Sequence, residues 1–173
     1  ANPVVIQGNG NIITAFSPQA AGSFVDAVFK IIGADFITVQ DFSIQENAGN
    51  VTNTLASNDK TEFGVALFYV TTTDGAQNNT IQNNTISLSA SYQNAIGIYS
   101  STAHSATAPT TAAIASANSG SNNNTKVYGN TISNVANGIA LIAGPVAAVI
   151  ESGADVGGTL PGTGNNITFG NNT

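Results

Sequence analysis

One short phrase, written four times along the chain, constrains the fold more than any other feature. FITVQDFSIQE begins at Phe36, NNTIQNNTISL at Asn78, NTKVYGNTISN at Asn124 and a shortened NITFGNNT at Asn166, at offsets of 42, 46 and 42 residues. Aligned by column, Val39, Ile81, Val127 and Phe169 coincide, and so do Ile44, Ile86 and Ile132. Phe42, Asn84, Asn130 and Asn172 form a column between them, each followed by Ser43, Thr85, Thr131 or Thr173. An upstream echo, VVIQGNGNIIT, places Ile6 and Ile12 in the isoleucine columns.

Each unit reads as a short strand, a sharp turn at Asn or Gly, and another short strand. Asparagine is depleted in strands because its amide competes for backbone hydrogen bonds, but it tolerates the left-handed conformation that sharp turns need. Identity by column means that like stacks on like, in a solenoid whose windings lie one strand spacing apart, about 4.8 Å. The inward positions become rows of Val, Ile and Phe, and the amides of successive Asn residues can bond to one another. The expected fold is therefore all-β, a parallel β-helix of about four coils with long corner insertions. One domain over 1–173 is expected, with coils at roughly 1–33, 34–75, 76–120 and 121–164 and a further coil starting at 165–173.

A second set of strands follows each unit, in EFGVALFYV (62–70), AIGIYSS (95–101) and ANGIALIAG (136–144), with Gly64, Gly97 and Gly138 where a coil bends back into a sheet. The interval from the isoleucine column to that glycine varies, which places insertions at fixed corners. TAHSATAPTTAAIASANSGSNNN and PVAAVIESGADVGGTLPGTG read as loops, the first an ordered or semi-ordered protrusion over 102–124. Phe24, Val28 and Phe29 show helical spacing, but AVFKIIG is read as the strand entering the first full coil.

Only 7% of the 173 residues are charged, with three lysines, no arginine and nine acids for a net charge of −6. Without clustered Lys and Arg the chain has no electrostatic footprint for nucleic acid or an anionic membrane surface. The longest apolar stretch, GIALIAGPVAAVI, is too short and too interrupted for membrane insertion. No signal peptide is read in ANPVVIQGNG, and an opening on Ala suggests a mature or excised segment. Absence of Cys excludes disulfides and thiolate metal sites.

VVIQGNGNIIT, DFITVQDFSI, GVALFYVTTTDGAQNNTIQNNTISL and NNTKVYGNTISNVANGIAL together resemble the right-handed parallel β-helix regions of pectate-lyase-like architecture. In detail they are similar to such regions in large secreted and surface proteins of Bacteroidota-type bacteria. The likeness runs over about residues 3 to 173, and it implies the right hand of the coil and an extracellular or cell-surface setting. It also implies continuation in a longer exported polypeptide, although the C-terminal export signal of that group is not visible here.

Enzymatic chemistry finds little support in the residues. Proton abstraction beside a uronate needs a base and a cation to hold the carboxylate, and the chain offers only Lys30, Lys60 and Lys126, each read as solvated. Glycoside hydrolysis needs two facing carboxyls, yet the column of Asp41 continues as Asn83, Gly129 and Asn171. No cofactor is expected. Asp35, Asp41 and Glu46, or Asp59 and Glu62, could hold Ca2+ weakly, against the plainer reading of solvated turn acids. His104 is read as a surface residue of a polar loop. QGNGN (7–11) is a turn and not a phosphate loop, because no Lys-Ser/Thr or helix follows it. Asn50, Asn78, Asn83, Asn123, Asn166 and Asn171 stand in Asn-x-Ser/Thr acceptors, which Asn- and Thr-rich turns also produce by chance. Tyr69, Tyr92, Tyr99 and Tyr128 could hold sugars but are read as packing against the next coil.

The expected function is a non-catalytic extracellular structural element: a surface stalk or adhesin segment, or a fibre subunit that stacks end to end. Val4, Val5, Ile6, Ile12, Ile167 and Phe169 are the candidate end-stacking interface, because a solenoid exposes unpaired backbone wherever it is not capped. A carbohydrate-binding or carbohydrate-cleaving module, meeting surface polysaccharide, is the alternative. The Thr column also suggests ice binding, but one Thr per repeat does not by itself make a flat grid.

Overall fold

A computed structural model describes residues 2–20, 24–54, 57–106, 114–144 and 149–170. The chain goes round in windings of three strands. The first holds β1 (Val4–Gln7), β2 (Ile12–Thr14) and β3 (Ala27–Ile32); the second β4 (Ile37–Gln40), β5 (Ser43–Gln45) and β6 (Phe63–Tyr69). The third holds β7 (Thr80–Gln82), β8 (Thr85–Ser87) and β9 (Ile96–Ser105); the fourth β10 (Lys126–Tyr128), β11 (Thr131–Val135) and β12 (Asn137–Ile142). β13 (Asp155–Val156) and β14 (Asn166–Phe169) begin a fifth. Among the described residues the only helical element is a 3-10 turn at Asn118–Gly120, and no helix is long and apolar enough to cross a membrane.

Every pairing between named strands is parallel, each strand lying beside its counterpart one winding on. Three sheets result: sheet A in the order β1-β4-β7-β10-β13, sheet B in the order β2-β5-β8-β11-β14, and sheet C in the order β3-β6-β9-β12. The protein is thus all-β and built of parallel sheets, consistent with a β-solenoid.

Register explains the repeated phrase. Ile44, Ile86 and Ile132 are paired one on the next and fully buried, and the row continues to Ile167 at one end. At the other end Ile13, not Ile12, faces Ile44; Ile12 pairs with Ser43 and is 63% exposed. The companion row is Ile6, Val39, Ile81, Val127 and Val156. Phe169 is not its last rung, because it pairs with Val135 in sheet B. In the second to fourth windings the strands of sheets A and B share one pattern, a polar residue on each side of a Val or Ile. Only the length of the corner between them tells them apart. That corner is two residues long at 41–42, 83–84 and 129–130, but runs from 157 to 165 in the last winding. The fifth winding accordingly starts with β13 at Asp155, inside a stretch expected to be loop, and not at 165.

The interior of the coil is filled by Val39, Ile44, Val65, Leu67, Ile81, Ile86, Ile98, Val127 and Ile132 among others. Sheet C has a second buried face. Phe63, Ala66, Phe68, Ile96 and Tyr99 pack outside it under Phe24, so β6 is buried throughout. Gly64, Gly97 and Gly138 are required by close approach. A Cβ on Gly97 would lie 2.5 Å from Ile132 Cγ2 and 2.6 Å from the Gly138 carbonyl, and one on Gly64 would meet Ile86 and Gly97 in the same way. The segment AVFKIIG does form a strand, β3. Of the stretch expected as a protrusion, residues 102–105 belong to β9, while 107–113 lie outside the described residues.

Candidate functional site

The corner between sheets A and B is the most regular site in the molecule. Asp41, Asn83 and Gly129 stand there with φ of 59°, 55° and 62°, the left-handed region that Asn, Asp and Gly tolerate best. The next residue carries the amide ladder. Asn84 Nδ2 donates to the Val39 carbonyl (3.1 Å) while its Oδ1 accepts from Phe42 N–H (3.1 Å). Asn130 repeats this one winding on, donating to Ile81 (3.0 Å) and accepting from Asn84 N–H (3.0 Å) and Nδ2 (3.1 Å). Asn165 then donates to Val127 (2.8 Å) and accepts from Asn130 N–H (3.0 Å). Each buried amide thus satisfies backbone groups that a bare turn would leave unpaired. Asn84 and Asn130 hold the expected places. Asn172 lies outside the described residues, and Asn165 fills the rung assigned to it.

The sequence also carried an unread ladder on the outer face of sheet A. Gln82 Nε2 donates to Gln40 Oε1 (2.6 Å), Gln40 Nε2 to Gln7 Oε1, and Gln7 Nε2 to Asp41 Oδ2 (2.5 Å). The signal was the Gln that ends VVIQ, ITVQ and TIQ.

Ionisable groups gather instead around sheet C. Glu62 is fully buried; its Oε2 accepts from Asp26 N–H (2.9 Å) and its Oε1 from Tyr92 OH (3.2 Å). Burial, with the neighbouring Asp26 carboxylate adding to it, pushes its carboxyl up to about 8, and burial raises Asp26 as well. This acid pair escaped sequence reading because Asp26 and Glu62 sit on insertions of different length, outside the repeat columns. Glu62 does not face Asp59, whose Oδ1 accepts from Thr52 N–H (2.7 Å). Glu151, pushed up to about 7 by burial, accepts from Ser100 Oγ (2.9 Å), which Asn122 Nδ2 also reaches (2.9 Å).

His104 is not a surface residue. It is 1% exposed, in the layer outside sheet C, with Nδ1 3.0 Å from Tyr99 OH and its ring stacked on Phe24 at 6.0 Å. Burial lowers its pKa to about 4, with Lys30 acting in the same direction and the Phe24 backbone opposing it. HSATAP reads as polar loop because nothing in it signals that His104 ends a long strand under an aromatic cover. Tyr69, Tyr92 and Tyr99 are buried in packing, and Tyr128 donates to Asp155 (2.7 Å).

The calcium candidates are not brought together. Asp35 accepts from Gln77 N–H (2.7 Å) at the corner from C to A, Asp41 belongs to the A-to-B corner, and Glu46 accepts from Thr61 N–H (2.9 Å) and Thr61 Oγ1 (2.8 Å). Among the described residues no group of three or more His, Asp or Glu could hold a metal. Lys30 lies in sheet C, Lys126 in sheet A, and Lys60 in the 46–62 insertion, where Nζ donates to the Asn50 carbonyl. Of the glycan acceptors, Asn50 and Asn123 are buried.

The end-stacking candidates divide between the two ends. Val4 (49%), Val5 (57%), Ile6 and Ile12 lie on the strands of the first winding, Ile167 and Phe169 (61%) on β14. A groove of about 360 Å³ crosses the windings near the corner from C to A, lined by Phe36, Asn78, Thr80, Asn124, Lys126 and Gly153. In comparison with known proteins, no family model, curated protein or solved structure matches the chain.

Proposed function

We propose that the protein is a non-catalytic extracellular scaffold, a right-handed β-helix serving as a surface stalk or adhesin segment, or as a fibre subunit that stacks end to end. The observation that supports this best is the register: two apolar rows and an amide ladder run through consecutive windings at the A–B edge. Such ladders resist bending and shear, since no rung moves without breaking contacts above and below it. The right hand accords with the ~98% preference of parallel crossover connections. At each end of the described coil, three strands of the same three sheets turn an edge outward. Unpaired parallel edges recruit further strands. Val156 and Ile167 at one end could stack on Ile6 and Ile13 at the other, joining a second copy or further coils of the same polypeptide. Low charge removes the repulsion that would oppose it.

Negative-stain microscopy with light scattering tests the assembly. Rods that lengthen with concentration mean end stacking, and a monodisperse monomer, only about 24 Å along the coil axis for five windings at about 4.8 Å, means a segment of a longer solenoid. Sideways clumping without growth along the coil axis would sink the end-stacking reading. Turnover in a lyase or hydrolase assay on a polysaccharide panel would end the non-catalytic reading.

One observation favours the second reading, carbohydrate binding. The groove at Phe36 offers a ring, amides, a hydroxyl and the Lys126 ammonium in its lining. Saturable binding of an oligosaccharide, lost in Phe36→Ala and Lys126→Ala, would favour it.

A further inference from the structure

The outer face of sheet B carries two polar columns where the sequence shows one. Its strands begin IIT, SIQ, TIS, TIS and NIT. The central Ile of each belongs to the row described above, so the residues on either side of it point out of the coil. Register aligns them as Ile12, Ser43, Thr85, Thr131 and Asn166, and as Thr14, Gln45, Ser87, Ser133 and Thr168. From the second winding onward every position is Ser, Thr, Asn or Gln. The grid repeats at about 4.8 Å across strands and about 6.6 Å along them, two residues of about 3.3 Å rise.

Three properties set this face apart. It is uncharged: none of the nine acids and three lysines lies on a sheet-B strand, whereas sheet A carries Lys126 and Asp155. It is stiff: the Ile row behind it is fully buried at Ile44, Ile86 and Ile132, the register holds without a shift until Ser133, and side-chain ladders favour flat sheets. Its first column is open, with Thr85 and Thr131 exposed at its centre, while Gln45, Ser87 and Ser133 of the second column are half-buried beside it. The two central positions of its first column, Thr85 and Thr131, carry a branched side chain that holds few rotamers.

A crystalline water surface is a neutral array of donors and acceptors at fixed spacing. A protein face that holds it must offer hydroxyls and amides at repeating intervals, without charges that orient water radially and without flexible side chains to immobilise. We propose that the outer face of sheet B, with Thr85, Ser87, Thr131 and Ser133 at its centre, binds ice. This function is additional to the scaffold reading and survives whether or not windings stack end to end. A sugar chain is the poorer occupant, because the central strands of this face present no aromatic platform and no charge.

The test is ice recrystallisation and thermal hysteresis on the full chain, with Thr131→Tyr blocking the centre of the grid and Thr38→Tyr as an outward substitution on sheet A. The expected result is slowed recrystallisation and faceted crystals with the unmodified chain, both lost in Thr131→Tyr and both kept in Thr38→Tyr. Should Thr131→Tyr fail to melt cooperatively, Ser133→Tyr reads the same face. The proposal is overturned if the folded chain leaves ice growth as a non-binding control protein does. It is overturned equally if a folded sheet-B variant stays fully active, or if Thr38→Tyr loses activity as completely as the sheet-B variants.

Discussion

The A–B edge and sheet C are two solutions to stacking within one coil. At the A–B edge of the second to fourth windings, two-residue corners set each winding over the last, and the stabilising contacts are repeated ones: Ile on Ile, Asn on Asn. At sheet C, the insertions before and after each strand differ in length, and the contacts are single ones: Phe24 on His104, Asp26 beside Glu62, Ser100 on Glu151. Regular corners let a repeat hold itself together, while irregular ones need a cover built for the occasion. The cost of that cover is buried ionisable groups, which the A–B interior does not have.

The largest effects should come from emptying either core. Ile86→Ala removes a central rung and is expected to cost about 2–5 kcal/mol, and Phe63→Ala under the outer cover about 3–5 kcal/mol, by chemical denaturation. Because the central strands of sheet C, β6 and β9, are buried on both faces, the second loss should destabilise the whole coil. Unchanged hydrogen-exchange protection at Ile44 and Ile86 in Phe63→Ala would show instead that the cover is an independent appendage.

The pH dependence separates the two regions next. The Glu62 carboxyl sits at about 8 in the folded chain and at an ordinary carboxylate value when unfolded, so its contribution is complete below about 4.5 and lost as the pH rises through 8. Glu151, at about 7, acts in the same direction. His104 has the opposite sign. Its folded value of about 4 lies below its unfolded value, so stability falls as the pH drops from about 6.5 toward 4. Glu62→Gln should flatten the fall in melting temperature between pH 6.5 and 8 by the equivalent of at most about 2 kcal/mol. His104→Phe should flatten only the acid limb. Limited proteolysis at alkaline pH is expected to cut the sheet-C insertions first; cleavage at the A–B corner would contradict the division.

Smaller effects probe the corner itself. Asn130→Ala strands Asn84 N–H and removes one donor from the Ile81 carbonyl, and a buried group left unpaired costs about 1–3 kcal/mol. Asn83→Ala, at the neighbouring exposed position, removes no ladder bond, so its melting temperature should fall less. The smallest effect is a gain. Phe36 has a φ of 59° in a corner column that continues as Asn78 and Asn124, so Phe36→Asn should relieve up to about 1 kcal/mol of backbone strain. A drop in melting temperature would mean that the Phe36 ring contributes more to the groove than its backbone costs.

Legibility in the sequence follows the same division. Ile44, Ile86, Ile132, Asn84 and Asn130 could be read because equal corners keep equivalent residues at nearly equal offsets. Ile12 lies one position off its rung because the first corner, 8–11, has four residues and adjacent isoleucines follow it. Phe169 belongs to sheet B and not to the Val39 row, because sheets A and B share a strand pattern and only the corner length tells which strand is which. That length changes at 157–165, and the two-residue strand at Asp155 gives almost no periodic signal.

By itself the sequence determined the parallel stacked strands, the central rungs and the amide ladder, since an interaction between identical neighbours is written into a repeat. Only the tertiary structure decided the rest: the five-rung register, the acid pair of Asp26 and Glu62, the burial of His104 and the two-column face of sheet B. Each depends on how far a particular insertion carries the chain before it returns, and that distance is set by packing against other windings and not by the residues it contains.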